Sequence, residues 1–409
     1  MPLNRYERVA VAFAPRIGLA WSPKARNGKP PTTVIRTGFG AYYDRVNENL
    51  TMQALRFNGV NQQQFLITSP DFFPVVPSLG SLAAQRQPVN TYELDAKLRT
   101  PFLMQSAISL EQQLPAKTTF SATYLHVDVT HNLRTVNINA PLPGTYDPSQ
   151  PGSGTRPYGA AAGNLFLYES NGISDQNMFF MNLNTRFHPK VSLFFFYAFI
   201  SANSDVDRLG QPSNPYNFKQ DYSRATWVQR DSGNIFGSIT APFGIQFNPN
   251  IVISAGSPYN LISGHDTNGD TVSNDRPAFA TDLKRPSVVF TRFGAFDTSP
   301  IAGQTIVPRN YLTADRMWNF NLRVGRTFGF GQVKEAPKGP GVANAATGKE
   351  RRYSANFYVF CNNVFNHLNH GGFIGNLASP LFGQSTSIYL FRGDLSNNRM
   401  IQFGTQLNF

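Results

Sequence analysis

Apolar and polar side chains alternate one by one along much of this chain. Between residues 318 and 328, Trp318, Phe320, Leu322 and Val324 alternate with Asn319, Asn321, Arg323 and Gly325. Between residues 102 and 111, Phe102, Met104, Ser106, Ile108 and Leu110 alternate with Leu103, Gln105, Ala107, Ser109 and Glu111; LPAK then leads into TTFSATYLHV. A period of two belongs to a β-strand, whose successive side chains leave on opposite faces, and two such runs around a short Pro-containing link predict a hairpin. The same reading predicts a pair of strands over 8–21 and 32–43 around SPKARNGKPP, and further strands over 177–187, 190–201, 234–247, 250–255, 317–330, 352–365 and 386–392. No segment carries the 3.6-residue period of an amphipathic helix.

The chain ends in the same pattern. Over 398–409, Ile401, Phe403, Thr405, Leu407 and Phe409 fall on one face, and Gln402, Gly404, Gln406 and Asn408 on the other. Chain ends usually fray and stay polar, so a strand finishing on an aromatic needs a reason. An apolar face packs on a core in a soluble sandwich or meets lipid in a transmembrane barrel. The pattern alone does not choose.

Composition moves the balance. Charged residues make up 15% of the 409, against roughly 25% in soluble domains. Aromatics reach 13%, with 35 Phe and 16 Tyr. No stretch offers the ~20 apolar residues of a membrane helix. Mean hydropathy is −0.28, which does not argue against a barrel, because every second strand residue faces water. The connections are uneven. Those at 114–117 and 188–190 are short, whereas 141–164, 204–224 and 257–310 are long and polar. Long structureless connections are uncommon in compact soluble domains, but barrels of the outer membrane pair short periplasmic turns with long outer loops. The predicted fold class is therefore all-β, an antiparallel transmembrane β-barrel, partial or complete, as one domain over 1–409.

The net charge of +12 is scattered, and its densest cluster, Lys349, Glu350, Arg351 and Arg352, sits in a predicted loop. Nucleic-acid binding would need a basic stripe and is not expected. The single Cys361 excludes an internal disulfide and a cysteine-rich zinc site. The opening MPLNRYERVAVAFAPRIGLAW has no basic leader with an apolar core and small-residue cleavage site. The expectation is that the chain is cytoplasmic, or that its start lies inside a longer protein.

FAPRIGLAWSP (13–23) followed by TTVIRTGFGAYYDR (32–45) resembles the barrel of the TonB-dependent outer-membrane receptors, in the Oar-like branch whose full-length members carry a carboxypeptidase-regulatory-like domain. GSPYNLISGHDTNGDTVSNDRPAF (256–279), FYVFCNNVFNHLNHGGFIGNLASPLFGQ (357–384) and NNRMIQFGTQLNF (397–409) agree with that family in order. The resemblance implies residence in the outer membrane of a Gram-negative-type bacterium, contact with its lipid, and binding and import of a bulky ligand energised by the TonB complex, with no catalytic group. It also implies that Gln402, Gly404, Leu407 and Phe409 form the terminal signal read by the barrel assembly machinery. Complete members place a signal peptide, an energy-coupling box and a plug before the barrel, and none precedes Met1 here. Their barrel has about 22 strands, whereas this chain offers about a dozen to fourteen candidates, so it reads as the C-terminal part of a barrel. The alternatives are a passive outer-membrane barrel or surface adhesin without energy coupling, and a soluble all-β secreted binding protein.

Few motifs carry other chemistry. Asp266, Asn268 and Asp270 stand at alternate positions in HDTNGDTVSND, and such a turn offers calcium three hard oxygen ligands. An EF-hand would need Gly and Glu where Thr271 and Pro277 stand, and a self-bonded Asx turn is the competing reading. His367 and His370 lack a third ligand at metal spacing and read as solvated loop residues. In GPGVANAATGKE (339–350), Gly341 and Gly348 are too far apart for a phosphate loop and no Ser or Thr follows Lys349. Phe194, Phe195, Phe196, Tyr197, Tyr358 and Phe360 read as lipid-facing bands and interfacial girdles rather than a ligand platform. No catalytic motif is present, and no enzyme activity or further cofactor is expected.

Overall fold

A computed structural model describes residues 13–23, 31–61, 72, 75, 77–78, 80–81, 90–150, 152–207, 209–333, 351–389 and 397–409. In chain order the elements are β1 (Arg16–Trp21), β2 (Thr33–Tyr43), α1 (Glu48–Arg56), β3 (Thr91–Leu94), β4 (Phe102–Leu114), β5 (Thr118–Asn137), β6 (Leu165–His188), β7 (Val191–Ser204), β8 (Ser223–Arg224), β9 (Asp231–Thr240), β10 (Ile245–Ser254), β11 (Pro258–Tyr259), β12 (Ala278–Phe279), β13 (Val288–Thr291), β14 (Gly294–Asp297), β15 (Leu312–Thr313), β16 (Met317–Val333), β17 (Arg351–Asn362) and β18 (Met400–Asn408). The long strands form one meander, β1-β2-β4-β5-β6-β7-β9-β10-β16-β17-β18, with every neighbour antiparallel. Short β3 joins β6 in parallel and β8 joins β7. Among the described residues β1 and β18 do not pair, so the sheet is open.

Register carries the alternation from strand to strand. Ile17 lies opposite Phe39, Phe195 opposite Ile235, Val324 opposite Val359, and Val359 opposite Phe403. The result is an apolar face that is exposed rather than packed, with Ile17 65% exposed, Ile401 56% and Phe403 81%, broken where His126, Asp128, Asp175 and Asn177 share it on β5 and β6. The opposite face is polar. It carries the Arg36–Glu111 ion pair at 2.9 Å, Gln402 and Gln406, and Arg323, whose guanidinium stacks on the Tyr358 ring at 3.9 Å. Exposed apolar outside and polar inside is the inverse of a soluble sheet and the arrangement that lipid selects.

The connections sort by side. Among the described residues, strand direction puts the links 115–117, 189–190 and 241–244 at one end of the strands, and α1, β3, β8 and β11 to β15 at the other. The described links at the first end are tight turns, whereas the other end carries the folded connections and is the outer one.

Four sequence expectations are corrected. The chain does contain a helix, α1, capped where the Asn47 side chain accepts from the Asn49 N–H at 2.9 Å and closed by Arg56 in its last turn; only Leu50 is buried, too little for a visible period. The strand expected over 234–247 breaks at 241–244, where Pro242 starts a tight turn with Phe243 at φ 62° and Gly244 at φ 73°. The strand expected to reach 365 ends at Asn362, because Asn363 takes φ 48°. Of the strand expected over 386–392, residues 386–389 hold only an isolated bridge, His370 to Ile388, and 390–392 lie outside the described residues, as do 8–12 and the loop 339–350.

Among the described residues the largest hydrophobic core lies in the outer connections. Leu261, Phe296, Val307, Leu312 and Leu377 are buried together, with Tyr259, Phe279, Val289, Phe293 and Phe382 packed around them. Two small sheets, β11-β15 and β12-β14-β13, frame that core. Asp297 anchors it: fully buried, it accepts from Arg285 Nε at 2.7 Å, Ser287 Oγ at 2.7 Å, Gln304 Nε2 at 3.0 Å and the Ser299 N–H at 3.0 Å. Burial alone would push this carboxyl up, but the hydrogen bonds from Ser287, Gln304, Ser299 and Arg285 together hold it below the usual carboxylate range.

Three outcomes are expected. With Cys361 replaced by Ser, a polarity-sensitive fluorophore on Phe403→Cys will emit blue-shifted and be quenched by brominated lipid in vesicles, while one on Gln402→Cys will not; equal quenching would contradict the face assignment. The Tyr358 ring covers Gly404 so closely that a Cβ there would stand 2.2 Å from Tyr358 Cζ. Gly404→Ala should therefore cost about 1–3 kcal/mol, and Tyr358→Ala in the same chain should recover part of it, a coupling that a double-mutant cycle reads. The third concerns Asp297. A depressed folded pKa contributes stability above the unfolded value of about 3.9, lost as pH falls through the folded value. Protection factors of the amides over 288–297, taken relative to the intrinsic exchange rate at each pH, should fall on acidification in the wild type, and at neutral pH in Asp297→Asn by about 3 kcal/mol.

Candidate functional site

The polar inner face and the folded outer connections are the two surfaces a ligand can meet. On the inner face, Arg16 lies over the Tyr42 ring at 4.3 Å, and Arg323 both stacks on Tyr358 and donates to Asn356 Oδ1 at 3.1 Å. Beside them runs an aromatic strip in which Phe194 contacts Phe236 at 4.7 Å between ring centroids and Phe180 contacts Phe196 at 6.4 Å. This corrects the reading of the aromatics as lipid-facing. Phe195 and Tyr197 do face outward, but Phe194, Phe196, Tyr358 and Phe360 share the face of Asn234, Gly325, Arg323 and Gln402. The run FFFY hides this split because consecutive apolar residues show no period.

The Asp-rich loop closes on itself. Asp266 Oδ1 accepts from the Asn268 and Gly269 N–H groups at 3.2 and 2.6 Å, and its Oδ2 from the Thr271 N–H at 2.8 Å. Asn268 Oδ1 accepts from the Asp270 N–H at 2.9 Å, and Asp270 Oδ1 from the Val272 N–H at 2.8 Å. Asp275 accepts from the Thr267 N–H at 2.7 Å and from Asn268 Nδ2 at 2.8 Å. This is Asx-turn bonding. Asp270 is fully buried and its Oδ2 has no hydrogen-bond partner. Burial, with Asp275 and Asp266 nearby, pushes the Asp270 carboxyl up to about 8, and burial pushes Asp275 up to about 6.

Among the described residues, the one group of three histidine or acidic side chains whose ligand atoms all lie within 4.8 Å of one another is His126, Asp128 and Asp175, half-buried on β5 and β6. Asp266, Asp270 and Asp275 do not form such a group. His126 Nε2 lies 2.9 Å from Asp128 Oδ2 and its Nδ1 lies 3.0 Å from Asn177 Oδ1, and each of these oxygens can only accept from the ring. HVD at 126–128 is its sequence signal, completed only by register with Asp175. His367 and His370 do not converge: His367 stacks on Trp318 at 4.5 Å, and His370 Nδ1 sits 3.0 Å from Asp315 Oδ2.

Three buried arginines escaped the sequence reading. Arg134, Arg276 and Arg309 come from β5 and two distant points of the connection 255–316, yet they line one cavity. No spacing joins them, so no motif could reveal them. At the C-terminus, Gln402 and Gly404 face inward, and Leu407 and Phe409 are exposed on the other side, as the alternation predicts.

A family model described as outer membrane beta barrel domain matches residues 4–402. No curated protein matches the chain. Among solved structures, the outer membrane transporter YddB from Escherichia coli aligns with TM-score 0.48 and 10% identity over 92% of this chain and 38% of its own. The FrpB iron transporter from Neisseria meningitidis aligns with TM-score 0.44 and 8% identity over 97% and 39%. The ferripyoverdine receptor of the outer membrane of Pseudomonas aeruginosa aligns with TM-score 0.45 and 9% identity over 96% and 32%. The chain thus spans well under half the length of each. With the family model covering nearly every residue and an exposed apolar face running across the meander, this chain belongs to the outer membrane beta barrel domain family and its strands sit in the bacterial outer membrane.

Proposed function

We propose that this chain is the C-terminal part of the barrel of a TonB-dependent receptor of the Oar-like branch, and that it serves the binding and energised import of a bulky ligand. The observation that carries this reading is the eleven-strand meander, open among the described residues, with a polar, Arg- and aromatic-bearing inner face and folded connections at its outer end. In lipid every backbone N–H and C=O needs a partner, so the edges of β1 and β18, unpaired among the described residues, call for further strands. The eleven of this meander among the described residues are half of the roughly 22 in such receptors. Selectivity would lie in the outer connections and the inner face.

The free edge of β18, with Leu407 and Phe409 exposed beside it, supports recognition by strand addition. We assign that role to the barrel assembly machinery, with Gln402, Gly404, Leu407 and Phe409 as the signal. The calcium reading of Asp266, Asn268 and Asp270 is supported by the unpartnered, buried Asp270 Oδ2. A cation there would replace the proton that burial otherwise holds on this carboxyl.

The native protein, recovered from fractionated outer membrane after crosslinking in cells, tests the receptor reading. An intact mass above that of these 409 residues, with sequence ahead of Met1 and a crosslink to TonB, is the expected result. A mass equal to these residues and no crosslink would favour a passive barrel or adhesin. Phe409→Ser should lower the outer-membrane level several-fold with synthesis unchanged. Calcium should slow proteolysis of 257–310 relative to chelator, and Asp270→Asn should abolish the difference; a loop indifferent to calcium would remove the cation reading.

A further inference from the structure

The polar break in the outward face has a defined place and geometry. His126 and Asp128 on β5 and Asp175 and Asn177 on β6 share the face of Ile108, Tyr124 and Phe179. Counted from Thr118, where β5 leaves its tight turn, His126 is the ninth residue and Asp128 the eleventh. A strand crosses the hydrocarbon in about 9–11 residues, so the group stands at the outer boundary of the lipid. Tyr43 and Phe102, whose rings meet at 5.0 Å, and Tyr124 share that face and level, as an interfacial aromatic girdle does. The side chains can be reached from outside: that of His126 is 30% exposed, that of Asp175 33% and that of Asp128 45%.

Hydrogen bonds fix the arrangement. Asn177 Nδ2 donates to Asp175 Oδ1 at 3.0 Å and Asn177 Oδ1 accepts from the Tyr124 hydroxyl at 2.6 Å, so the amide is held with its oxygen toward His126. His126 Nδ1 then lies 3.0 Å from Asn177 Oδ1 and 3.7 Å from Asp175 Oδ2, while Nε2 lies 2.9 Å from Asp128 Oδ2. Both ring nitrogens face acceptor oxygens, yet a neutral imidazole has one N–H. The other nitrogen needs a positive centre of its own, a second proton or a metal ion. Charge separates the two. Among the described residues His126 is the one ion-pair partner of Asp128 and Asp175, and Asp205, which shares with them the neighbourhood of Tyr222, is taken by Arg134 at 2.7 Å. A second proton leaves the group with a net negative charge against lipid, where uncompensated charge is costly. A divalent ion beside a neutral ring brings it to zero.

We infer that His126 Nδ1, Asp175 and Asn177 Oδ1 hold a divalent first-row metal ion on the outward rim of the sheet, with Asp128 accepting the Nε2–H and so keeping the ring in the tautomer that frees Nδ1. A carboxylate behind a metal-bound imidazole is the usual way of fixing its orientation. Imidazole nitrogen with carboxylate and amide oxygen suits zinc or a neighbouring transition ion, whereas calcium and magnesium take oxygen alone. Two ligands each ~2.1 Å from a tetrahedral zinc stand ~3.4 Å apart, a value that the 3.0 and 3.7 Å separations from Nδ1 bracket. The remaining position opens outward to the headgroup layer. The ion ties β5 to β6 at the level where lipid gives way to water. The inference rests on the outward face and not on the receptor reading.

The test is equilibrium dialysis of Zn²⁺ against the native protein, purified from outer membranes in detergent and stripped with chelator, in the presence of excess Mg²⁺. One zinc per chain is expected, and X-ray absorption of the loaded wild-type protein should show one imidazole among oxygen neighbours. His126→Gln and Asp175→Asn should each weaken binding by more than about tenfold, while His367→Gln and His370→Gln leave it unchanged. Asp128→Asn should weaken binding about tenfold without moving the visible absorption bands of the Co²⁺-loaded protein, because it orients the ring and does not touch the ion; Asn177→Ala should move them. Amide protection over β16 to β18 verifies that each variant is folded. No zinc retained by the wild-type protein over Mg²⁺, a sulfur neighbour pointing to Cys361, or undiminished binding in His126→Gln would overturn the proposal.

Discussion

Antiparallel hydrogen bonding between neighbouring strands, unbroken over eleven of them, is the constraint on which this structure depends. Inside a bilayer there is no water to satisfy a bare N–H or C=O, so a spanning chain must pair every backbone group through helix or sheet. This chain pairs them in a meander. Once the pairing is set, its register decides everything that faces lipid. A slip of one residue would turn the apolar face inward, and for this reason the alternation persists through β16, β17 and β18 with so few interruptions. Where close packing demands it, the inner face gives up side chains: Gly404 is bare so that the Tyr358 ring, held under Arg323, can lie flat on it.

The strands need no interior core of their own, because lipid covers one face and polar side chains the other. Ordinary core formation is displaced to the outer connections, where water is the solvent again. There Phe296, Leu261 and Val307 are wholly buried, and Asp297 is held by four donors. The same region holds the buried ion pairs of Arg134 and Arg276 and the Asp-rich turn. The protein thus divides by solvent. A sheet ordered by lipid carries a small globular assembly ordered by water, and the chemistry open to a ligand gathers at their junction and along the inner face.

The legibility of these parts differs for physical reasons. Strand alternation is local, so the hairpin at 114–118, the strand at Met317 and the terminal strand could all be read from neighbouring residues. Turns made by left-handed non-glycine residues could not: Phe243 and Asn363 break strands that composition alone would continue. The short α1 was hidden because one buried leucine makes no period. The FFFY run concealed which rings face inward, since that depends on a pairing register.

The sequence by itself determined the strand class, the two-faced chemistry of the barrel, the long and short connections and the inward or outward place of each terminal residue, because a period of two translates directly into two faces. It placed the Asp-rich turn and supplied the oxygens that turn uses. Only the tertiary structure decided that Arg134, Arg276 and Arg309 meet, that Asp175 joins His126 and Asp128, and that the largest hydrophobic core lies outside the strand array. Those groupings join residues from separate elements, through packing and register that no local pattern encodes.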